Sequence, residues 1–128
     1  LSVSDPFLVE CYDFVISLYD LGNYEDAKMV AFFILQLFPA VHEFWFALGN
    51  ILMQQHMNDR AILAYEQALA IDEENTVYCL YIAYSHYHRR DLEKAKQYLQ
   101  KAEAVVTEKG DEFGIKENIL ALKKEITQ

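Results

Sequence analysis

The stretch FWFALGNILMQQHMNDRAILAYEQALA, Phe44 to Ala70, places bulky and small apolar residues at the spacing of two closely packed helices. The residues that set this pattern are Trp45, Leu48, Gly49, Ala61, Tyr65 and Ala68. Small residues let two helix backbones approach, and large ones fill the space beside them. The stretch therefore predicts an antiparallel pair of helices.

The same frame recurs along the chain at a fixed spacing of 34 residues. Ala27, Ala61 and Ala95 occupy equivalent places in YEDAKMVAFFI, NDRAILAYEQA and LEKAKQYLQKA. The middle copy resembles the W-x2-L-G and A-x3-F pattern of the tetratricopeptide repeat, a helix–turn–helix unit, with Leu52 at one expected aromatic position. The outer copies are more degenerate, but they keep the register.

This periodicity predicts an all-α fold of three tandem tetratricopeptide repeats, at about 8–41, 42–75 and 76–109, within a single domain that covers residues 1–128. The predicted helices lie at about 8–21, 25–38, 42–55, 59–72, 76–89 and 93–106. A seventh helix at about 113–126 would cover the open end of the stack. Its apolar residues are Ile115, Ile119, Leu122 and Ile126.

Composition and charge limit the classes of partner. The chain has 128 residues, of which 53% are hydrophobic and 24% charged, as expected for a folded protein. Twenty acidic and 11 basic residues give a formal net charge of -9, which repels phosphates and anionic headgroups. We therefore expect neither nucleic acid nor a membrane surface as a partner. The apolar run Met29–Phe38 is about half the length needed to span a bilayer.

The first helix of each repeat is predicted to line a concave groove, because its outward face is rich in aromatic and aliphatic residues and contains no Lys or Arg. The predicted peptide-binding residues are Tyr12, Ile16, Tyr19, Phe46, Asn50, Met53, Leu80, Tyr81, Tyr84 and Tyr87. Such a groove suits an extended apolar peptide, with tyrosine hydroxyls and the Asn50 amide available to its main chain. The alternative for any single tyrosine is packing against a neighbouring helix.

We find no pattern for catalysis, a metal or a cofactor, so the protein is predicted not to be an enzyme. Cys11 and Cys79 are two repeats apart, too far for a disulfide, and are interpreted as small buried apolar residues. His86 and His88 point to opposite sides of their helix, so they do not jointly bind a metal.

A more specific resemblance rests on three segments. The chain is similar to the tetratricopeptide chaperones of type III secretion translocators at LYDLGNYEDA (18–27), at LFP (37–39), and at FWFALGNILMQQ followed by AILAYEQALAID. The resemblance implies a cytoplasmic chaperone of a Gram-negative bacterium that keeps hydrophobic translocator proteins soluble before secretion. By matching positions it implies peptide contacts at Tyr12, Tyr19, Phe46 and Tyr84.

The chain also departs from that family. Its third repeat opens with NTVYCLYIAYSHYH instead of the usual proline-containing segment, which bears on the identity of the client. Members usually carry a further N-terminal helix, whereas only LSVSDPF precedes the first repeat, as in a truncated chain. The alternative function is a scaffold or adaptor that binds an amphipathic helix, for example of a needle subunit or another assembly partner.

The second helix is apolar nearly all round and must be covered. Flanking helices could cover it within one chain. Alternatively, Phe32 and Phe33 form a homodimer contact or the docking site of a further N-terminal helix.

Overall fold

A computed structural model describes residues 5–128 and contains seven α-helices in this part of the chain. They are α1 (Pro6–Asp20), α2 (Tyr24–Leu37), α3 (His42–Gln54), α4 (Asn58–Ile71), α5 (Thr76–His88), α6 (Leu92–Lys109) and α7 (Lys116–Ile126). The described residues form no β-strand, which confirms the predicted all-α class. The six repeat helices lie within a few residues of their predicted bounds.

The chain divides into two compact units, one that ends at Ile71 and one that spans Asp72–Gln128. The first unit (unit 1) contains α1–α4, and the second (unit 2) contains α5–α7. The single domain over residues 1–128 stays a prediction.

In unit 1, α3 packs against both α2 and α4. Gln55 after α3 donates to the Glu25 carboxylate at the start of α2 (3.1 Å), and the Trp45 indole donates to the Pro39 carbonyl after α2 (2.8 Å). These two bonds fix α3 antiparallel to α2. Buried Ala27, Ala31 and Ala61 admit the close approach that the sequence predicts.

In unit 2, α5 presents the predicted packing face to its neighbours. Cys79, Ile82 and Ala83 are fully buried, and His86 stacks on Tyr98 of α6 with ring centroids 5.8 Å apart. Helix α7 packs on α5 and α6. It does so through the four apolar residues expected of a capping helix, all of which are buried: Ile115, Ile119, Leu122 and Ile126.

The capping helix begins three residues later than predicted. The Asp111 carboxylate accepts hydrogen bonds from the main-chain N–H groups of Ile115 (2.8 Å) and Lys116 (3.1 Å). Gly114 has a φ of 66°, a left-handed conformation that suits glycine. This turn holds residues 111–114 outside the helix.

The first helix of every repeat ends in the same turn. Gly22, His56 and Arg90 have φ angles of 79°, 61° and 65°, and they are spaced 34 residues apart. The residue after each of them donates to a carbonyl five residues earlier, namely Asn23 to Leu18, Met57 to Leu52 and Asp91 to His86. This is a Schellman ending, which satisfies the last carbonyls of a helix. It shows the repeat in the backbone even where the side chains have diverged.

None of the described helices has the length and hydropathy needed to span a bilayer. Among residues 5–128 there is also no cluster of three or more His, Cys, Asp or Glu side chains with metal-binding geometry.

The two cysteines are free, and they differ in environment. Cys79 is fully buried, and burial raises the pKa of its thiol to about 11 from an ordinary 9.0. Cys11 is partly exposed, and its pKa is raised by burial and then by Glu10. The interpretation as a buried apolar residue holds for Cys79 and only in part for Cys11.

We expect a thiol reagent at pH 8 to modify Cys11 well before Cys79, because only about one in a thousand Cys79 thiols is ionised at that pH in the folded state. Since the folded pKa of Cys79 lies above the unfolded one, its contribution to stability is complete below about pH 9 and is lost as the pH rises towards 11. Timed labelling with mass spectrometry checks the order. Equal labelling rates would contradict the buried placement of Cys79.

Candidate peptide-binding faces

In unit 1, the predicted contact residues of α1 and α3 are all partly exposed. They are Tyr12, Ile16, Tyr19, Phe46, Asn50 and Met53, and we call this set the α1–α3 face. Helix α1 packs on α3 as well as on α2. Both helices therefore supply their contact residues within one compact unit.

The tyrosines of α1 combine internal packing with partial exposure. Tyr12 meets Phe44 edge-on with ring centroids 5.5 Å apart, and Tyr19 meets Tyr24 at 5.5 Å. Burial, then Glu43, then Asp13 raise the pKa of Tyr12, so its hydroxyl stays protonated at neutral pH. The packing alternative thus accounts for part of the surface of each ring, and both tyrosines remain partly exposed.

A hydrogen bond within unit 1 orients Asn50. The Tyr65 hydroxyl donates to Asn50 Oδ1 over 2.6 Å, and the Tyr65 ring lies 5.6 Å from that of Phe46. Because the Asn50 oxygen accepts this bond, its amide N–H groups are the part available to a ligand. The sequence indicated Tyr65 only as a space-filling core residue. Tyr65 lies 15 residues after Asn50 in sequence. The contact between the two side chains can be inferred only once the pairing of α3 with α4 is known.

In unit 2, α5 presents Tyr81 and Tyr84 as accessible rings, with Tyr81 40% exposed and Tyr84 partly exposed. Tyr84 stacks on His88 with centroids 6.4 Å apart. We call Tyr81 and Tyr84 the α5 face. It lies opposite buried Cys79 and Ile82, as the helical period predicted.

Two predicted contacts on α5 are placed differently. Leu80 is only 4% exposed, because it lies on the same helical stripe as buried Thr76 and Ala83. The structure therefore places Leu80 in the core and not on the accessible face. Tyr87 is partly exposed, but its hydroxyl is hydrogen-bonded to the Glu125 carboxylate of α7, which raises the pKa of Tyr87.

The outer face of α2 is open. Phe32 and Phe33 are 45% and 60% exposed, so flanking helices within the described chain do not cover them. That alternative is wrong for these two residues. A homodimer contact at Phe32 and Phe33 stays a prediction, which sedimentation velocity at several concentrations checks.

Comparison with known proteins gives matches to a repeat family and to solved structures. Residues 42–75 match the tetratricopeptide repeat family. No curated protein matches the chain by sequence.

Solved structures match nearly the whole chain at low sequence identity. The type III secretion chaperone SycD of Yersinia enterocolitica, in complex with a peptide of the translocator YopD, is 21% identical, with a TM-score of 0.85 over 98% of this chain and 95% of that one. An alternative dimer of SycD gives 22% identity and a TM-score of 0.86 over 98% and 95% of the two chains.

PcrH, known from Pseudomonas aeruginosa, gives a similar match in its complex with the chaperone-binding region of PopD. It is 17% identical, with a TM-score of 0.84 over 94% of this chain and 91% of that one. The chain therefore contains a tetratricopeptide repeat at residues 42–75 and has the fold of the type III secretion translocator chaperones SycD and PcrH.

Proposed function

We propose that this protein is a non-enzymatic, cytoplasmic chaperone of a Gram-negative type III secretion system. It binds an extended apolar segment of a secreted translocator protein and keeps that protein soluble before secretion. The observation that carries the proposal is the α1–α3 face: partly exposed aromatic and aliphatic side chains with the Asn50 amide among them and no cation.

The chemistry of this face suits an apolar strand better than a charged one. Partly exposed rings such as Tyr12 and Phe46 gain apolar contact when an aliphatic side chain of the ligand covers them. Asp13 and Glu43 lie close enough to Tyr12 to raise its pKa, so an acidic ligand would meet like charge.

Main-chain hydrogen bonds favour an extended ligand. A strand presents an unpaired carbonyl at every second residue on each side, which the Asn50 amide can donate to. A helix has already used its main-chain groups internally and gains nothing from such a donor. This difference favours the strand over the amphipathic helix at the α1–α3 face.

The relatives of the same fold support the class of client. SycD is solved with a peptide of YopD, and PcrH with the chaperone-binding region of PopD. We propose an equivalent client for this chain, with Tyr81 and Tyr84 of the α5 face as further contacts.

The client segment can be located with an array of overlapping peptides that covers candidate translocators. We expect wild-type protein to bind a short apolar segment, and Tyr12→Ala and Tyr84→Ala to weaken that signal. Binding that neither substitution changes would move the site away from both faces.

The Asn50 amide gives a sharper test, because Asn50→Asp keeps the oxygen that accepts from Tyr65 while removing the N–H donors. We expect calorimetry to show about five- to tenfold weaker binding of the segment. The reason is that the variant loses one hydrogen bond to the ligand and its carboxylate repels the carbonyl that accepted it. Gln36→Glu is the matched control, since it makes the same charge change at an exposed position of α2. Equal losses in both variants would show that net charge alone is responsible.

A further inference from the structure

Unit 1 has a concave surface that the proposed function does not use. It lies between α2 and α4, with α3 as its floor, and encloses about 390 Å³. Phe32, Trp45, Leu52 and Leu63 supply its apolar walls. We call it the α2–α4 groove. Its volume is in the range of pockets that hold apolar ligand groups.

The α2–α4 groove is separate from the α1–α3 face. Helix α3 contributes Trp45, Leu48 and Leu52 to the groove, and Phe46, Asn50 and Met53 to the face. At 100° per residue the two sets point roughly 130° apart around the helix axis. A ligand in the groove therefore does not occupy the α1–α3 face.

The walls of the groove combine a fixed ring with exposed side chains. The Trp45 indole is held by its hydrogen bond to the Pro39 carbonyl, whereas Leu63 on α4 is 65% exposed. Phe32 on α2 faces the same space. Exposed apolar groups around a concavity mark an interaction site.

One end of the groove carries two cations beside the acidic first turns of α2 and α4. Helices α2 and α4 are both antiparallel to α3, so Lys28 and Arg60, each in a first or second turn, lie at the same end. Lys28 is paired with Glu25 at 2.7 Å, while Arg60 is exposed and forms no ion pair with the described residues. In a chain with a net charge of -9, Arg60 is the lining cation of the groove that remains available to an acidic group.

We infer that the α2–α4 groove binds an amphipathic helix of a partner protein, with two apolar side chains in the groove and an acidic residue beside Arg60. The α4 wall from Arg60 to Gln67 is about 10 Å long, or two helical turns, which matches apolar residues spaced three or four apart.

Trp45 is the sole tryptophan of the chain, so its fluorescence reports directly on the groove. The probe is a blocked alanine-based helical peptide of about 15 residues, with Leu and Phe four positions apart and two glutamates in the adjoining turn. The control peptide has lysines in place of the glutamates. We expect the acidic peptide to change the Trp45 emission with an affinity about fivefold or more above that of the lysine peptide.

Arg60→Glu should weaken binding of the acidic peptide about fivefold, and added salt should weaken its binding to the wild type. Lys94→Glu is the matched control, since Lys94 occupies the equivalent repeat position in unit 2 and makes the same charge change. Leu63→Ser, at an exposed position that should still fold, should weaken binding about tenfold.

Equal binding of the two peptides, or equal effects of Arg60→Glu and Lys94→Glu, would overturn the inference. A change in Trp45 emission on concentrating the protein alone, matched by a dimer in sedimentation, would assign the groove to a second copy and also overturn it. Loss of translocator binding in Asn50→Asp leaves these outcomes unaffected, so the two sites are tested independently.

Discussion

Gly49→Ala is expected to destabilise the protein by about 2–3 kcal/mol, because the added methyl overpacks a filled core. A Cβ at Gly49 would lie closer than 3.0 Å to the ring of Tyr65, which is itself buried. In an exposed helix the same change stabilises by about 1 kcal/mol through helix propensity. The sign of the measured effect therefore distinguishes the two situations.

The repeat itself supplies the control for this prediction. In the third repeat, Ala83 and Leu99 stand at the positions equivalent to Gly49 and Tyr65. All four residues are buried. Ala83 is larger than Gly49, and it is accompanied by Leu99, which is smaller than Tyr65. We therefore expect Tyr65→Leu to relieve part of the cost of Gly49→Ala, although it also removes the hydrogen bond to Asn50.

Urea unfolding of the two single variants and the double variant measures this coupling. A double variant clearly more stable than the sum of the single effects would confirm the steric origin. A Gly49→Ala variant as stable as the wild type would show that Tyr65 can move without cost, and would contradict the close approach of α3 and α4.

Phe46→Ala should weaken binding of a translocator segment about 30-fold, the largest effect that we expect on binding. Its ring is partly exposed on the α1–α3 face and rests against Tyr65 at 5.6 Å, so it is both accessible and fixed in position. Large, preorganised aromatic side chains contribute most of the affinity at many interfaces, with truncation costing about 2 kcal/mol or more.

Phe33→Ala is the matched control for Phe46→Ala, since Phe33 is exposed on α2, which supplies no residue of the α1–α3 face. Calorimetry with the same peptide should give an unchanged affinity for Phe33→Ala. If both substitutions weakened binding equally, the effect of Phe46→Ala would not be specific to the α1–α3 face.

Much of the fold was predictable because the same pattern of packing residues recurs every 34 residues. Ala27, Ala61 and Ala95 are all fully buried, and the four apolar residues of the capping helix all face the core. A helical period together with small residues at fixed offsets constrains which face packs. The resemblance to translocator chaperones likewise agrees with the fold of the solved structures.

The unpredicted features depend on contacts between helices or on special backbone angles. Leu80 could not be separated from Tyr81 and Tyr84 by period alone, because α5 is buried over a wide arc that includes Thr76. The bond from Tyr87 to Glu125 joins residues far apart in sequence. His56 and Arg90 adopt the left-handed conformation without the glycine that signals it at Gly22.

The most direct measurement for the proposed chaperone is photocrosslinking of a translocator segment that carries a photoreactive phenylalanine analogue at an apolar position, followed by mass spectrometry. The proposal predicts attachment to α1 and α3, at or beside Tyr12, Ile16 and Phe46. Attachment confined to residues of the α2–α4 groove, or spread evenly over the surface, would contradict it.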